Sequence, residues 1–260
     1  MKITTAQIKH IQSLQLKKFR DAHGVFVAEG EKIVSELLES DFQIEMLCAL
    51  PAWFDQHKAR IPERLPCCEL SPKQLERISN LKTPNRVLAV VRKPACELQD
   101  MKFDNDIVLM LDKLQDPGNL GTIIRTADWF GIRHIICSPD TADIYNPKVI
   151  QATMGSFIRL KVHYASLPDI LKDLPEGFPV YGAFLEGTNL FKTRISMPGI
   201  LIIGNESQGI SMEVASFVNR KVMIPPGATN SDTNSKARAE SLNAAMAAGI
   251  MMAYFRQQAL

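Results

Sequence analysis

Two rhythms of apolar and polar residues alternate along the chain, one of helical period and one of short unbroken apolar runs. Ile8, Ile11 and Leu14 recur at helical spacing, and that stretch runs on to His23-Gly24, a stop signal. Residues 25–28 read as a strand, 31–38 as a helix and 44–50 as a strand. Ser71-Pro72 opens a further helix, with Ser as cap and Pro in the first position, and VLAVV at 87–91 is a buried strand. A polar, irregular stretch follows at 93–106. The pattern then restarts with strands IVLML (107–111), HIIC (134–137), VYGAF (180–184), GILIIG (199–204) and KVMI (221–224). Helices are expected from Pro117, around 148–154, near 212–218, and as a long Ala-rich element from Ala239. The break predicts two domains, residues 1–95 and 104–260, joined by a linker at 96–103. Strands alternating with helices predict the α/β class, with a mostly parallel sheet covered on both faces.

Composition changes this picture little. With 260 residues, 46% hydrophobic, and 30 Lys+Arg against 28 Asp+Glu, the chain is ordinary globular material and no polyelectrolyte. No apolar run reaches the ~18–20 residues of a membrane helix, and the N-terminus has no apolar signal core. The five cysteines (Cys48, Cys67, Cys68, Cys96, Cys137) form no CxxC pair and have no histidine at zinc spacing. No metal is expected, and a cytoplasmic chain with reduced thiols is. Charge is uneven at the start: Lys2, Lys9, Lys17, Lys18 and Arg20 occur with no acid among the first 20 residues. Such a face suits either solvent or phosphates. The five histidines are scattered, and His134 at a strand start reads as structural.

Three segments carry chemistry. In DKLQDPGNLGTIIRTADWFGI (112–132), Asp116 suits a helix cap. At about 100° per residue, Leu120, Ile123, Ile124, Ala127, Phe130 and Gly131 form one core-facing stripe. Arg125 and Trp129 point away from it, and Asn119 lies on a flank in the first turn. Neither GxGxxG nor GxxxxGK[ST] is present. A capped helix with a surface arginine and an anion-binding turn both fit, as do base stacking and packing for Trp129. In LIIGNESQGIS (201–211) an apolar strand ends in Gly204, Asn205 and Glu206, where open parallel sheets bind ligands; a plain polar turn fits too. In 223–255 a strand ends in Ile224-Pro225-Pro226, and Glu240, Ser241 and Asn243 cluster at a helix start with small residues behind. Ser241 as a simple helix cap is the alternative.

Taken together, QDPGNLGTIIRTADWFGI, IIGNESQGI and IP…ESLNAAMAAGI closely resemble the three motifs of the SpoU/TrmH family of RNA 2′-O-ribose methyltransferases, within the SPOUT superfamily. KKFRDAHGVFVAEGEKIVSELL and LSPKQLERISNLKTPNRVLAVVRKP resemble that family's small α/β, ribosomal-protein-like RNA-binding domain. The resemblance implies a C-terminal SPOUT domain with a trefoil knot, a homodimer, and S-adenosylmethionine as cofactor. It implies a cofactor cradle of Phe184, Leu185, Glu186, Gly187, Ile203, Gly204, Asn205, Ile224, Ser241 and Leu242. It carries over a catalytic group of Asn119, Arg125, Glu206, Ser241 and Asn243. RNA contacts are expected from Lys17, Lys18, Arg20 and Arg125.

The implied reaction is displacement of a sulfonium-bound methyl by a ribose 2′-hydroxyl, in which alignment supplies much of the rate. The family's usual account makes the arginine the base. A guanidinium titrates near 12.5–13.8, so phosphate binding and polarisation of the 2′-oxygen suit Arg125 better. Asn119 is then expected to hold Arg125 or the ribose. Glu206 orients the strand mouth, and Ser241 and Asn243 order loop and substrate. Residues 227–239 interrupt the family's usual passage from Ile-Pro to ESLN; a lid, phosphate contacts from Lys236 and Arg238, and a plain polar loop all fit. Ribosomal RNA is the first expected substrate and transfer RNA the second. A non-catalytic RNA-binding or ribosome-assembly protein of the same fold is the alternative class, and a small-molecule enzyme the third.

Overall fold

A computed structural model describes residues 1–95, 98, 106–227 and 240–259. They fall into two compact units. The first comprises residues 1–95 together with 143–158, and the second holds the rest of the described chain. The sequence-based division assigns 143–158 to the second half; in the structure it packs in the first unit. The expected linker falls on residues that, apart from Leu98 and residues on its flanks, lie outside the described ones.

In the first unit the order is α1 (Thr5–Ser13), α2 (Lys17–His23), β1 (Val25–Glu29), α3 (Glu31–Leu38), β2 (Ile44–Ala49), α4 (Pro51–His57), β3 (Cys67–Glu69), α5 (Pro72–Ile78) and β4 (Val87–Arg92). The sheet runs β1-β4-β2-β3, antiparallel except for β2 with β3. Thr4 and Ser71 cap α1 and α5, each in a reciprocal box with a glutamine three residues on. Ile8, Ile11, Leu14, Leu75 and Ile78 are buried in one core with Val25, Val27, Leu88 and Val90.

The single helix expected up to His23 is in fact two. The break after Leu14 has no Gly or Pro to announce it. It is held by Arg20, whose Nη1 donates to the carbonyls of Leu14 and Gln15 at 2.9 and 2.8 Å. The same guanidinium pairs with Asp143 Oδ2 at 3.0 Å (Nε) and 2.6 Å (Nη2). Arg20 is only 2% exposed. The expectation that it contacts RNA is therefore corrected: its donors face inward and are engaged. Lys17 and Lys18 are exposed.

The chain continues through β5 (Ile107–Leu111), α6 (Pro117–Trp129), β6 (His134–Cys137), α7 (Pro147–Thr153, in the first unit), β7 (Lys161–Tyr164), α8 (Leu167–Lys172), β8 (Val180–Asn189), β9 (Gly199–Ile203), α9 (Met212–Ala215), β10 (Arg220–Met223) and α10 (Ala244–Ala259). Six parallel strands are ordered β10-β8-β9-β5-β6-β7. Every residue of the central β5 and β9 is buried, as strands covered on both faces must be. From β5 the chain winds outward through β6 to β7, and from β9 it passes to the opposite edge at β10. The crevice between the ends of β5 and β9 is thus a topological switch point, the usual ligand position in such sheets.

Three expected elements differ in extent. α9 is one turn, ending at Ala215 rather than Val218. α10 starts at Ala244 and not Ala239. β8 runs to Asn189, but its pairing with β10 jumps from Lys221↔Gly182 to Val222↔Thr188, leaving 183–187 outside the ladder. α4, β3, β7 and α8 were not expected. Each is short and buries few side chains, as with Trp53 alone in α4 and His163 alone in β7, so none leaves a periodic signature.

His134 stacks on His163 with ring centroids 5.9 Å apart, and its Nδ1 is buried without a hydrogen-bond partner among the described residues. Loss of solvent, then the charges of Lys161 and Arg133, hold its pKa below the ordinary 6.5. Protonation is therefore disfavoured in the folded state. Its contribution to stability is complete above 6.5 and is lost as pH falls from there toward the depressed folded value. Between about pH 7.5 and about pH 5, the wild type is expected to lose more thermal stability than a His134→Gln variant, as thermal melts would show.

Candidate active site

The switch-point crevice is built by two loops that leave adjacent strands in register, Leu111 lying opposite Ile203. Asp112, first after β5, is buried, and its Oδ2 accepts the Ser211 N–H at 2.7 Å. Lys113 follows with a left-handed φ of 55°. Asp116 caps α6 by accepting the Asn119 N–H at 2.7 Å. The core stripe of α6 holds for Leu120, Ile123, Ile124 and Ala127, all buried. Phe130 is half-buried, and Gly131 is exposed just beyond the helix. Arg125 is exposed and has no hydrogen bond or ion pair among the described residues. Trp129 is 85% exposed.

The loop after β9 closes tightly on itself. Asn205 and Gly209 exchange two backbone hydrogen bonds of 2.9 Å. The Asn205 side chain accepts from the N–H groups of Ser207 and Gln208, and its Nδ2 donates to the Lys113 carbonyl at 2.8 Å. A Cβ on Gly204 would lie 2.2 Å from the Gly209 carbonyl carbon and 2.3 Å from the Ile210 nitrogen. Main chain cannot swing aside as a flexible side chain does. Gly204→Ala is therefore expected to exceed the ~1–3 kcal/mol typical of overpacking and to disorder the loop. A fall in melting temperature, with loss of cofactor binding by calorimetry, would check this.

Three sequence-predicted residues meet here. Asn243 Oδ1 accepts from the N–H groups of Ala245 (2.9 Å) and Met246 (3.3 Å), so Asn243, not Ser241, caps α10. Asn243 Nδ2 donates to Asn119 Oδ1 at 2.9 Å, and Asn119 Nδ2 donates to Glu206 Oε1 at 2.9 Å. The result is a one-way relay from the positive end of α10 to a carboxylate. Asn119 is thus bonded to Glu206 and Asn243 rather than to Arg125. Ser241 is exposed and has no hydrogen-bond partner among the described residues.

Of the expected cofactor residues, 184–187 fall in the stretch of β8 outside the ladder. A Cβ on Gly187 would sit 2.8 Å from the Lys221 carbonyl oxygen, at the step in β10. Leu185, Glu186 and Leu242 are exposed, Phe184 and Ile224 half-buried, and Ile203 and Gly204 buried. Lys221 Nζ lies over the Phe184 ring, 5.2 Å from its centroid. Lys236 and Arg238, and all of 227–239 but Gly227, lie outside the described residues. Sequence reasoning missed Asp112 and Lys113. An acid directly after an all-apolar strand was the available signal for the first.

Among the described residues Cys48, Cys67, Cys68 and Cys137 are free, and burial pushes the thiols of Cys48 and Cys137 far up. Among the described residues no group of three His, Cys, Asp or Glu side chains could hold a metal ion, and no helix is long and apolar enough to cross a membrane.

Comparison with known proteins follows the same lines. The family described as SpoU rRNA Methylase matches residues 106–253, and the MRM3-like substrate binding domain matches 5–89. The chain is 31% identical to the 23S rRNA (guanosine(2553)-2′-O)-methyltransferase RlmP of Bacillus subtilis, over 96% of each chain. Its fold matches an AdoMet-bound rRNA methyltransferase from Sinorhizobium meliloti with TM-score 0.86, 30% identity and 99% and 96% coverage. It matches the SpoU methyltransferase AviRb from Streptomyces viridochromogenes, in complex with AdoMet, with TM-score 0.84, 26% identity and 98% coverage of each.

Proposed function

We propose that this chain, which belongs to the SpoU rRNA methylase family, transfers a methyl group from S-adenosylmethionine to a ribose 2′-hydroxyl of ribosomal RNA. The observation that carries the reading is the Asn243–Asn119–Glu206 relay, which joins the three motif segments at the sheet's ligand-binding crevice. The activities named for the relatives above, and the match of residues 5–89 to the MRM3-like substrate binding domain, support RNA as the substrate.

The residues present fit the cofactor. Leu185, Ile224 and Leu242 leave apolar side chains incompletely buried on three separate segments. A purine buried against them and read by main-chain groups of 184–187 and 204–205 needs no charged side chain. S-adenosylmethionine supplies a methyl already activated by a positive sulfur, so the protein's task is alignment and charge stabilisation. Glu206, its Oε1 fixed by Asn119, orients the crevice. Arg125, free of partners within the described chain, binds the phosphate next to the target ribose and polarises the 2′-oxygen. Ser241 and Asn243 order the substrate.

Residues 1–95 recruit RNA, with Lys17 and Lys18 among the contacts, and 104–260 catalyse. The reading extends to a cytoplasmic homodimer. Trp129 and Met246, exposed on helices α6 and α10 that pack together, support a second copy covering this layer. Calorimetry with S-adenosylmethionine, beside RNA binding over a range of salt, tests the reading against a non-catalytic RNA-binding protein of this fold. Cofactor binding with salt-dependent RNA affinity is expected; RNA binding with no cofactor binding would overturn it.

A further inference from the structure

Lys113 sits at the lip of the crevice in a conformation its residue type resists. Its φ of 55° is the left-handed region, where a side chain crowds the main chain and glycine does not. The backbone is clasped there from both sides. Its N–H donates to Ser138 Oγ at 2.8 Å, and its carbonyl accepts from Asn205 Nδ2 at 2.8 Å. The preceding residue is buried and bonded to the Ser211 N–H. Glycine would make both of residue 113's bonds equally well, since both use main-chain atoms. The lysine side chain is exposed, and its ammonium has no hydrogen bond or ion pair among the described residues. Strain retained at a site, beneath a cation facing solvent, points to a ligand outside the chain.

Neighbouring charges narrow the ligand's nature. Asp116 and Glu206 both stand exposed at this lip, and a polyanion approaching them meets repulsion. The Lys113 carbonyl is held by the residue just before Glu206, so the cation belongs to the same lip. β9 lies between β5, which Lys113 follows, and β8, which carries 184–187 of the proposed cofactor cradle. The cradle's Asn205 takes the main-chain carbonyl of Lys113, which leaves the ammonium for the substrate. A lysine is a mobile point charge suited to phosphate without fixed geometry.

We propose that Lys113 binds a backbone phosphate of the substrate RNA beside the target ribose; this rests on the RNA methyl-transfer reading above. The test compares wild type with K113Q, K113R and K113G in RNA affinity at several salt concentrations, S-adenosylmethionine affinity by calorimetry, and thermal melting. K113Q is expected to bind RNA about tenfold more weakly, with the salt slope reduced by about one. K113R retains the affinity. K113G loses it like K113Q yet melts no lower than wild type, because the left-handed backbone suits glycine. Cofactor affinity is unchanged in all three. RNA affinity and salt slope unaltered in K113Q, in a protein that methylates RNA, would overturn this inference alone. Weaker S-adenosylmethionine binding in K113Q would overturn it in favour of a contact with the cofactor's carboxylate. A wild type that binds RNA and transfers no methyl would overturn the functional reading instead, and the salt slopes would still decide the phosphate contact.

Discussion

Replacing Arg125 by alanine is expected to lower the single-turnover rate of methyl transfer by about 10²–10³-fold, the usual loss when one preorganised donor leaves a developing negative charge. Stability is expected to hold, because the exposed Arg125 makes no hydrogen bond or ion pair among the described residues. S-adenosylmethionine is expected to bind as in wild type, since the proposed cradle lies on other segments. Arg125→Lys should recover only part of the rate. An ammonium keeps the charge but not the planar fork that engages phosphate at two points. A lysine enzyme with near-normal turnover would remove the bidentate phosphate contact from the mechanism. Rate and cofactor affinity measured on the same protein separate this role from a structural one.

Arg20→Ala is expected to destabilise the first unit by about 3–5 kcal/mol, the range for removing one partner of a buried ion pair. Asp143, whose side chain is 11% exposed, would lose its countercharge. The carbonyls of Leu14 and Gln15 would lose donors at the break between α1 and α2. Denaturant unfolding would measure the loss, and a double-mutant cycle with Asp143→Ala would isolate the pair. In conditions where the variant is folded, its RNA affinity and salt slope are expected to match wild type. A reduced slope without destabilisation would return Arg20 to the RNA-binding surface.

Arg20 also shows where sequence reasoning stops. Arg20 was expected to contact RNA beside Lys17 and Lys18, because residue type reports charge and not direction. The side chain turns inward because the helix breaks after Leu14, where this guanidinium takes the carbonyls of Leu14 and Gln15. Strands β5, β6 and β9 of the second sheet were legible, being short apolar runs buried throughout or nearly so. β7 and α8 were not, being too short to show a period. Asn119 was legible in the first turn of a helix, Glu206 in the turn after a strand, and Asn243 at a helix start. Their meeting was implied by the family resemblance and not by the residue pattern, because Glu206 and Asn243 lie 87 and 124 positions from Asn119. It follows from the register of β5 with β9, which sets their loops side by side, and from the Asn243 cap of α10. Lys113 was hidden for a different reason: nothing in a lysine announces a left-handed backbone.

The most direct measurement is methyl transfer from labelled S-adenosylmethionine to total RNA from cells lacking this protein, and to their ribosomal particles, with nucleosides identified by mass spectrometry. Label recovered as a 2′-O-methylnucleoside in ribosomal RNA, lost with Arg125→Ala, is the predicted result. Label in transfer RNA would contradict the substrate, label on a base would contradict the reaction, and no label from either source would contradict the account at its centre.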